Sequence, residues 1–322
     1  MNDNNNLNNW EKSVLEKLVF ETLKEQRLKR RWKIFFRLCF FLLVFFIIFS
    51  ITNMESANNK KNTNAAASSD DEHVAMIAVN GVISADSEAN AKDINAALNA
   101  AFEEKTSKAI LLQINSPGGS PVQSDLIFSE IMRLRKKFPE KPLYAVILDS
   151  GTSGAYYIAS AAEKIYANPS SIVGSIGVIM DGFGFEELIK KIGIERRAFH
   201  AGENKAFLDS FSPINEEQKN HVQNLLNDVH KNFINAVKAG RGNKLKNPEE
   251  NQIFSGLFWT GSQSINLGLI DGFGSVESVS RDVFKTENIQ DYSVEESIES
   301  KFAKKLGLIS KNILLKFSTE IK

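Results

Sequence analysis

A single cysteine, Cys39, stands in a chain of 322 residues, so no intrachain disulfide and no cysteine-based metal site can form. Histidine is almost as scarce, with four: His73, His200, His221 and His230. Any mechanism that needs a histidine base must draw on one of these. Net charge is missing as well. Lys+Arg and Asp+Glu stand at 39 each, which removes bulk charge as an argument for nucleic acid, and no nucleic-acid partner is expected.

What is present is unevenly placed. Lys24, Arg27, Lys29, Arg30, Arg31, Lys33 and Arg37 cluster against one acid, Glu25. They lead into "LCFFLLVFFIIFSIT", Leu38 to Thr52, which carries no charge. Extended back to Ile34, the apolar segment has 19 residues, close to the ~20 that cross a bilayer as a helix. Arg37 sits near one end, where its side chain can snorkel to the headgroups. More than thirty residues precede the apolar run, too many for the basic region of a cleaved signal peptide. The segment is therefore expected to be a signal anchor. The basic flank places the N-terminus in the cytoplasm and the remainder across the membrane, which in a bacterium is the periplasmic or outer face.

This divides the chain into residues 1–33, a cytoplasmic segment; 34–52, the span; 53–72, a polar low-complexity tether; 73–286, a folded domain; and 287–322, a tail. In the first segment Trp10, Val14 and Leu18 recur at helical spacing, which fits an interfacial helix and a solvated one equally. In the tail, Phe302, Leu306, Ile309, Ile313 and Phe317 suggest an amphipathic helix.

Within 73–286, short runs rich in Val, Ile and Leu alternate with longer helical patterns. "HVAMIAVN", "AILLQINS", "PLYAVIL" and "KIYA" read as strands. "DINAALNAAFEE", "SDLIFSEIMRLRKKF" and "GAYYIASAAEK" read as helices. "FEELIKKIGIERRAFH" reads as helix, Gly193 and strand, and a long helix is opened by Pro213 and closed by Gly240. The alternation predicts an α/β domain with a mainly parallel core sheet flanked by helices.

In such sheets, sites gather beyond the carboxyl ends of strands. Two stretches lie there. "NSPGGS", Asn115 to Ser120, carries Gly118 and Gly119, which can turn backbone N–H groups toward a ligand. "DSGTSGAYY", Asp149 to Tyr157, places Ser153 at the start of a helix, where a free N–H favours a developing oxyanion. Together they could supply a nucleophile and an oxyanion hole; each alone is common in turns. For a base, His73 borders the tether, and His221 and His230 fall on the expected wet face of the long helix. His200 and Lys205 remain, in "HAGENKAF". A lysine serves as general base when burial lowers its pKa toward neutral, and Ser-Lys pairs are an attested variant of the triad.

Four motifs, "INSPGGS", "SGAYYIASAAEKIYANPSSIVGSIGV", "AGENKAF" and "WTGSQSINLGLIDGFGS", stand in one order between Val74 and Val283. In this they resemble the signal peptide peptidase A family, also called protease IV, of serine peptidase family S49, in its short type with one span and one protease domain. The resemblance implies a ClpP/crotonase-like fold and a Ser-Lys dyad. By it, Ser153 is the nucleophile and Lys205 the general base. Gly119 and Gly154 give the oxyanion N–H groups, and Ser175 in "GSIGV" orients the lysine. No metal or cofactor is implied. The implied substrates are cleaved signal peptides and other membrane-associated polypeptides at the lipid bilayer. The implied assembly is a ring-shaped homo-oligomer, commonly of eight protomers. SohB-type peptidases share the motifs. An inactive membrane scaffold would be expected to lose the dyad, and the crotonase relatives, which act on acyl-CoA thioesters, would need neither Ser153 nor Lys205. Two departures from the family pattern stand out: Ala155 in place of the second glycine of Gly-Gly-Tyr-Tyr, and Thr152 where a small residue usually precedes the nucleophile.

Overall fold

The computed structural model describes residues 30–43 and 71–294. The chain divides into two units, Met1–Asp70 and Asp71–Lys322. In the first, residues 30–43 are helical (α1), and their side chains, Cys39 included, are exposed. Among the described residues no helix is long and apolar enough to cross a membrane. The expected span leaves the described residues at position 44. The expected helix at the start of the chain, most of the tether and the amphipathic tail also lie outside them.

The second unit is built on a parallel sheet. Its central strands are β1 (His73–Asn80), β2 (Ser107–Ser116) and β3 (Leu143–Thr152). They read as nearly continuous apolar runs because both faces of the sheet are covered. Side chains alternate across it. Ala75, Ile77, Val79, Ile110, Leu112, Ile114, Ala145 and Ile147 enter the larger core. Val74, Ala109, Leu111 and Val146 enter a smaller one with Val276 and Val279.

The larger face carries helices α2 (Ala91–Glu103), α3 (Pro121–Lys137), α4 (Gly154–Ser160) and α6 (Glu216–Arg241). Their starts follow local chemistry. Asn90 accepts from the Asp93 N–H, Ser120 from Gln123 with Pro121 in the first turn, and Asn215 from Gln218. The smaller face is covered by α8 (Val276–Asp282).

Sheet order is β6-β5-β3-β2-β1-β8, with β4 (Lys164–Ala167) beside β3 and β7 (Gly272–Phe273) beside β4. All pairings are parallel except that of β5 (Ile172–Gly174) with β6 (Phe258–Thr260). Strand β3 is shared along one edge. Its residues 144–147 pair with β4, and 150–152 pair with β5. The last pairing, Thr152 with Gly174, ends where the chain reaches Ser153.

Several local expectations differ from the structure. "IERRAF" forms no strand: residues 194–200 are irregular and exposed, since a strand without a partner leaves its N–H and C=O groups unpaired. The helix before it shortens to α5 (Glu186–Lys191) and buries nothing. The helix after Ser153 stops at Ser160 rather than Lys164. Gly240 does not end α6; the helix runs on to Arg241 and is capped by Gly242 at φ 52°. Gly240 serves a close approach, because a side chain there would collide with the Ser160 carbonyl of α4. Beyond position 287, β8 (Ile289–Asp291) pairs with β1, so the sheet reaches into the segment expected as tail.

Candidate active site

The register of β2 against β3 shifts between Ile114 and Ser116, so that Ser116 pairs with Gly151. This brings Pro117-Gly118-Gly119 against Thr152-Ser153-Gly154. The approach is too close for side chains. A carbon added to Gly118 would lie 2.6 Å from the Gly154 nitrogen and 2.8 Å from the Ser153 Cβ. One added to Gly119 would strike the Ile83 carbonyl. Both glycines also have positive φ, 96° and 154°, which only glycine adopts freely. The turn is held from below. Ile83 N–H donates to the Gly118 carbonyl at 2.9 Å, and Ser120 N–H donates to the Ile83 carbonyl at 2.8 Å.

Ser153 occupies the turn between β3 and α4 at φ 53°, ψ −126°. A non-glycine residue there is strained, by about 1–3 kcal/mol, and persists only because its surroundings fix it. Its N–H donates to the Gly174 carbonyl at 2.8 Å, and its own carbonyl accepts from Tyr157 N–H at 3.0 Å. The hydroxyl is half-buried and takes no partner among the described residues. The same is true of the N–H groups of Gly119 and Gly154. Two unpaired amides beside one free hydroxyl form the geometry of an oxyanion hole around a nucleophile. Helix α4 has only 7 residues, so these individual N–H groups matter more than its dipole.

Ser175 also has a positive φ, 54°. It directly follows Gly174, the residue whose carbonyl binds Ser153. Its N–H donates to the Leu257 carbonyl at 2.7 Å, which ties the "GSIGV" turn to the segment entering β6. Thr152, the departure beside Ser153, has its hydroxyl 3.3 Å from that of Ser150. Ala155 is fully buried in α4.

A cavity of about 750 Å³ opens beside Ser153, Gly154 and Gly119. Its walls are α3, the start of α4, residues 177–179 and one face of α6. Val122, Leu126, Phe128, Tyr157, Val229, Phe233 and Ala236 make it largely apolar. Among the described residues lining it, Asp125 alone carries a charge. The Tyr157 hydroxyl donates to Asp125 Oδ1 at 2.8 Å. Burial first, then the hydrogen bond and charge of Asp125, hold the Tyr157 phenol well above its usual range.

Lys205 does not line this cavity. It is exposed, in a turn where its N–H donates to the Gly202 carbonyl at 3.1 Å. The segment that carries it, residues 179–215, contains no fully buried residue. Thus the structure gathers Ser153, Gly154, Gly119 and the Ser175 turn, and leaves Lys205 apart from them. His200 is exposed as well. His230, expected on the wet face, is partly buried, with Nε2 3.1 Å from the Ile176 carbonyl in the "GSIGV" turn. His73 is buried in β1, with Nε2 3.0 Å from the Tyr292 hydroxyl.

Sequence reasoning did not identify Asp125, Tyr157 or the α6 wall as parts of the site. The apolar periodicity of α6 was the available signal, but periodicity does not say what a face covers. Nor did it identify the ion pair of the buried Arg241 with Asp271, at 2.7 Å.

A profile described as Peptidase family S49 matches residues 135–290. The match takes in Ser153, Gly154, Ser175 and Lys205 and begins after Gly119. The chain is 47% identical over 188 residues to a protein of Brucella abortus (strain 2308) named Na(+)/H(+) antiporter NhaA, over 58% of this chain and 25% of that one. It is 28% identical over 248 residues to a putative signal peptide peptidase SppA of Enterococcus faecium, over 74% of this chain and 67% of that one. To protease 4 of Haemophilus influenzae it is 31% identical over 232 residues, over 69% of this chain and 37% of that one. The chain spans a quarter of the length of the first curated relatives that it matches, 25% in each.

Proposed function

We propose that this chain, which matches the Peptidase family S49 profile over residues 135–290, is a membrane-anchored serine endopeptidase that uses Ser153 as nucleophile and Lys205 as general base. One observation carries this: a free, half-buried Ser153 hydroxyl on a strained turn, beside the unpaired N–H groups of Gly119 and Gly154 at the mouth of a largely apolar cavity. In the proposed cycle, neutral Lys205 takes the Ser153 proton as Oγ attacks a peptide carbonyl. The two amides hold the tetrahedral oxyanion. The lysine then protonates the leaving amine, and a water hydrolyses the Ser153 ester. Ser175 accepts or donates a hydrogen bond at the lysine amine and fixes its aim.

For this cycle Lys205 must be brought to Ser153 and shielded from water, because a lysine is a base only when neutral. We propose that neighbouring copies of the chain, in a ring-shaped homo-oligomer, cover the segment. Support comes from its apolar surface: Ile179 is 83% exposed, Phe183 78% and Phe199 95%, more than a solvated arm requires. The proposed substrates are cleaved signal peptides and other membrane-associated polypeptides, met at the bilayer by a domain tethered across the membrane from its basic N-terminal flank. The antiporter name of the Brucella relative is not carried over, because most of that protein lies outside the match.

The test is peptide hydrolysis by the full chain in detergent for wild type, Ser153→Ala and Lys205→Ala. Both substitutions should reduce kcat by roughly 10³-fold or more. Activity retained in either variant would exclude the dyad, and retention in both would favour a scaffold with a contaminating peptidase.

A further inference from the structure

The cavity beside Ser153 is lined mainly by apolar side chains; Ser153, Asn232 and Asn235 are its neutral polar ones, and Asp125 is the one charged side chain among the described residues. Asp125 lies on α3 and Tyr157 on α4. Tyr157 follows Ser153 by one helical turn, so the pair sits roughly 6 Å along the helix from the nucleophile. The Tyr157 ring is clamped. It stacks on Phe233 at 4.9 Å and meets Phe128 edge-on at 5.3 Å. Its hydroxyl therefore has one direction, and it holds Asp125 Oδ1 at 2.8 Å. The second carboxylate oxygen takes no donor, and no lysine or arginine among the described residues pairs with Asp125. Asp125 is exposed, so its carboxylate, with one lone pair free, stands at the open mouth of the cavity beside Val122 and Leu126, 65% and 48% exposed, with the buried Ala236 on the α6 side.

This arrangement matches one kind of side chain. A stem of several methylenes would lie on the apolar walls, and a cationic head would reach the carboxylate about one helical turn from the attacked carbonyl. We propose that Asp125 is a specificity-determining residue, and that the cavity accepts a lysine or arginine of the substrate, on the residue whose carbonyl Ser153 attacks. The inference rests on the protease reading above and extends it to polypeptides cut after a basic residue. A signal peptide carries its basic residues at one end, so a pocket that accepts both apolar and cationic side chains could cut along its whole length. Glutamate is disfavoured, since a second carboxylate would meet Asp125 with no cation to separate them.

The test uses the full chain in mild detergent and three peptides that differ only at the residue supplying the attacked carbonyl: arginine, leucine or glutamate. Wild type should cut the arginine peptide with a kcat/KM at least equal to that for leucine and roughly tenfold above that for glutamate. In Asp125→Asn the arginine-to-glutamate ratio should fall roughly tenfold, toward one. In Tyr157→Phe, which keeps the carboxylate and the ring, it should stay above that of Asp125→Asn. Added salt should lower the ratio in wild type, because the pocket mouth is open to solvent. The salt series needs no variant, so the test survives a misfolded Asp125→Asn. A wild-type ratio near one, or a ratio that Asp125→Asn leaves unchanged, overturns the proposal. Cleavage after leucine without cleavage after arginine overturns it while the protease reading stands. If no peptide is cut, the protease reading falls and this inference falls with it.

Discussion

The floor of the site and the arm that carries Lys205 are opposite kinds of structure. The floor is fixed several times over. Gly118, Gly119 and Gly154 are packed so closely that none has room for a carbon, and Ser153 is held by hydrogen bonds on both its N–H and its carbonyl. The arm, residues 179–215, is tied mostly to itself, by the Arg196–Asp209 ion pair and the contact of Phe185 with Phe211, and reaches α6 through the edge-on contact of Phe207 with His221. A group on the floor has its position set by the fold. A group on the arm has its position set by whatever covers the arm. The proposed nucleophile and oxyanion donors belong to the first class and the proposed base to the second, so the domain alone assembles part of the proposed machinery.

Substitutions on each side should separate the two regions. The largest effect is expected behind the floor. Arg241 is fully buried against Asp271, and it also donates to the Gly268 carbonyl. Asp271→Ala leaves the buried guanidinium without its counter-charge, with only the Gly268 carbonyl as partner, and should destabilise by about 3–5 kcal/mol in urea unfolding. Burial alone would raise the Asp271 carboxyl, but the hydrogen bond and charge of Arg241 outweigh it and hold it below its ordinary 3.8. Its contribution is therefore fully present above that value and is lost as pH falls through the lower folded one. The variant should lack this acid-dependent limb, and an identical acid profile in both proteins would refute the coupling.

Gly119→Ala comes next. The added methyl must displace the Ile83 carbonyl, so one oxyanion donor is lost, and kcat should fall about 10²–10³-fold under the proposed mechanism. A variant with normal kcat would show that this amide does not face the reaction. The smallest effect on folding belongs to the arm. Phe199→Ser, at a residue 95% exposed, should change the stability of the single chain by no more than about 0.5 kcal/mol. It should nevertheless weaken self-association in sedimentation if the arm is an interface. A stability loss as large as that of Asp271→Ala would erase the contrast between the regions.

Legibility followed the range of the interactions. The central strands were readable because Val, Ile and Leu runs buried on both faces leave an unmistakable pattern, and the two glycine- and serine-bearing turns were readable because they follow those strands. Strands β5, β6 and β7 have 3, 3 and 2 residues, too few for any periodicity. Gly240 reads as a helix end and is instead a contact with the Ser160 carbonyl. The Asp125–Tyr157 bond spans 32 positions and the Arg241–Asp271 pair spans 30, so neither has a local signature. His230 misled for the same reason: its partner, the Ile176 carbonyl, is 54 positions away. The strand expected in "IERRAF" had the right residues and no neighbour to pair with.

The positive φ of Ser153 bears on the order of events. Glycine would take this backbone freely, whereas serine is kept there against its own preference by the Gly174 carbonyl and the Tyr157 N–H. To swing away, the residue would have to break both bonds at once. Under the proposed mechanism, the direction of attack is therefore decided when the chain folds, before any peptide arrives. In the proposed cycle, what remains to happen in time is the arrival of the base, and the slow variable is the arm rather than the nucleophile.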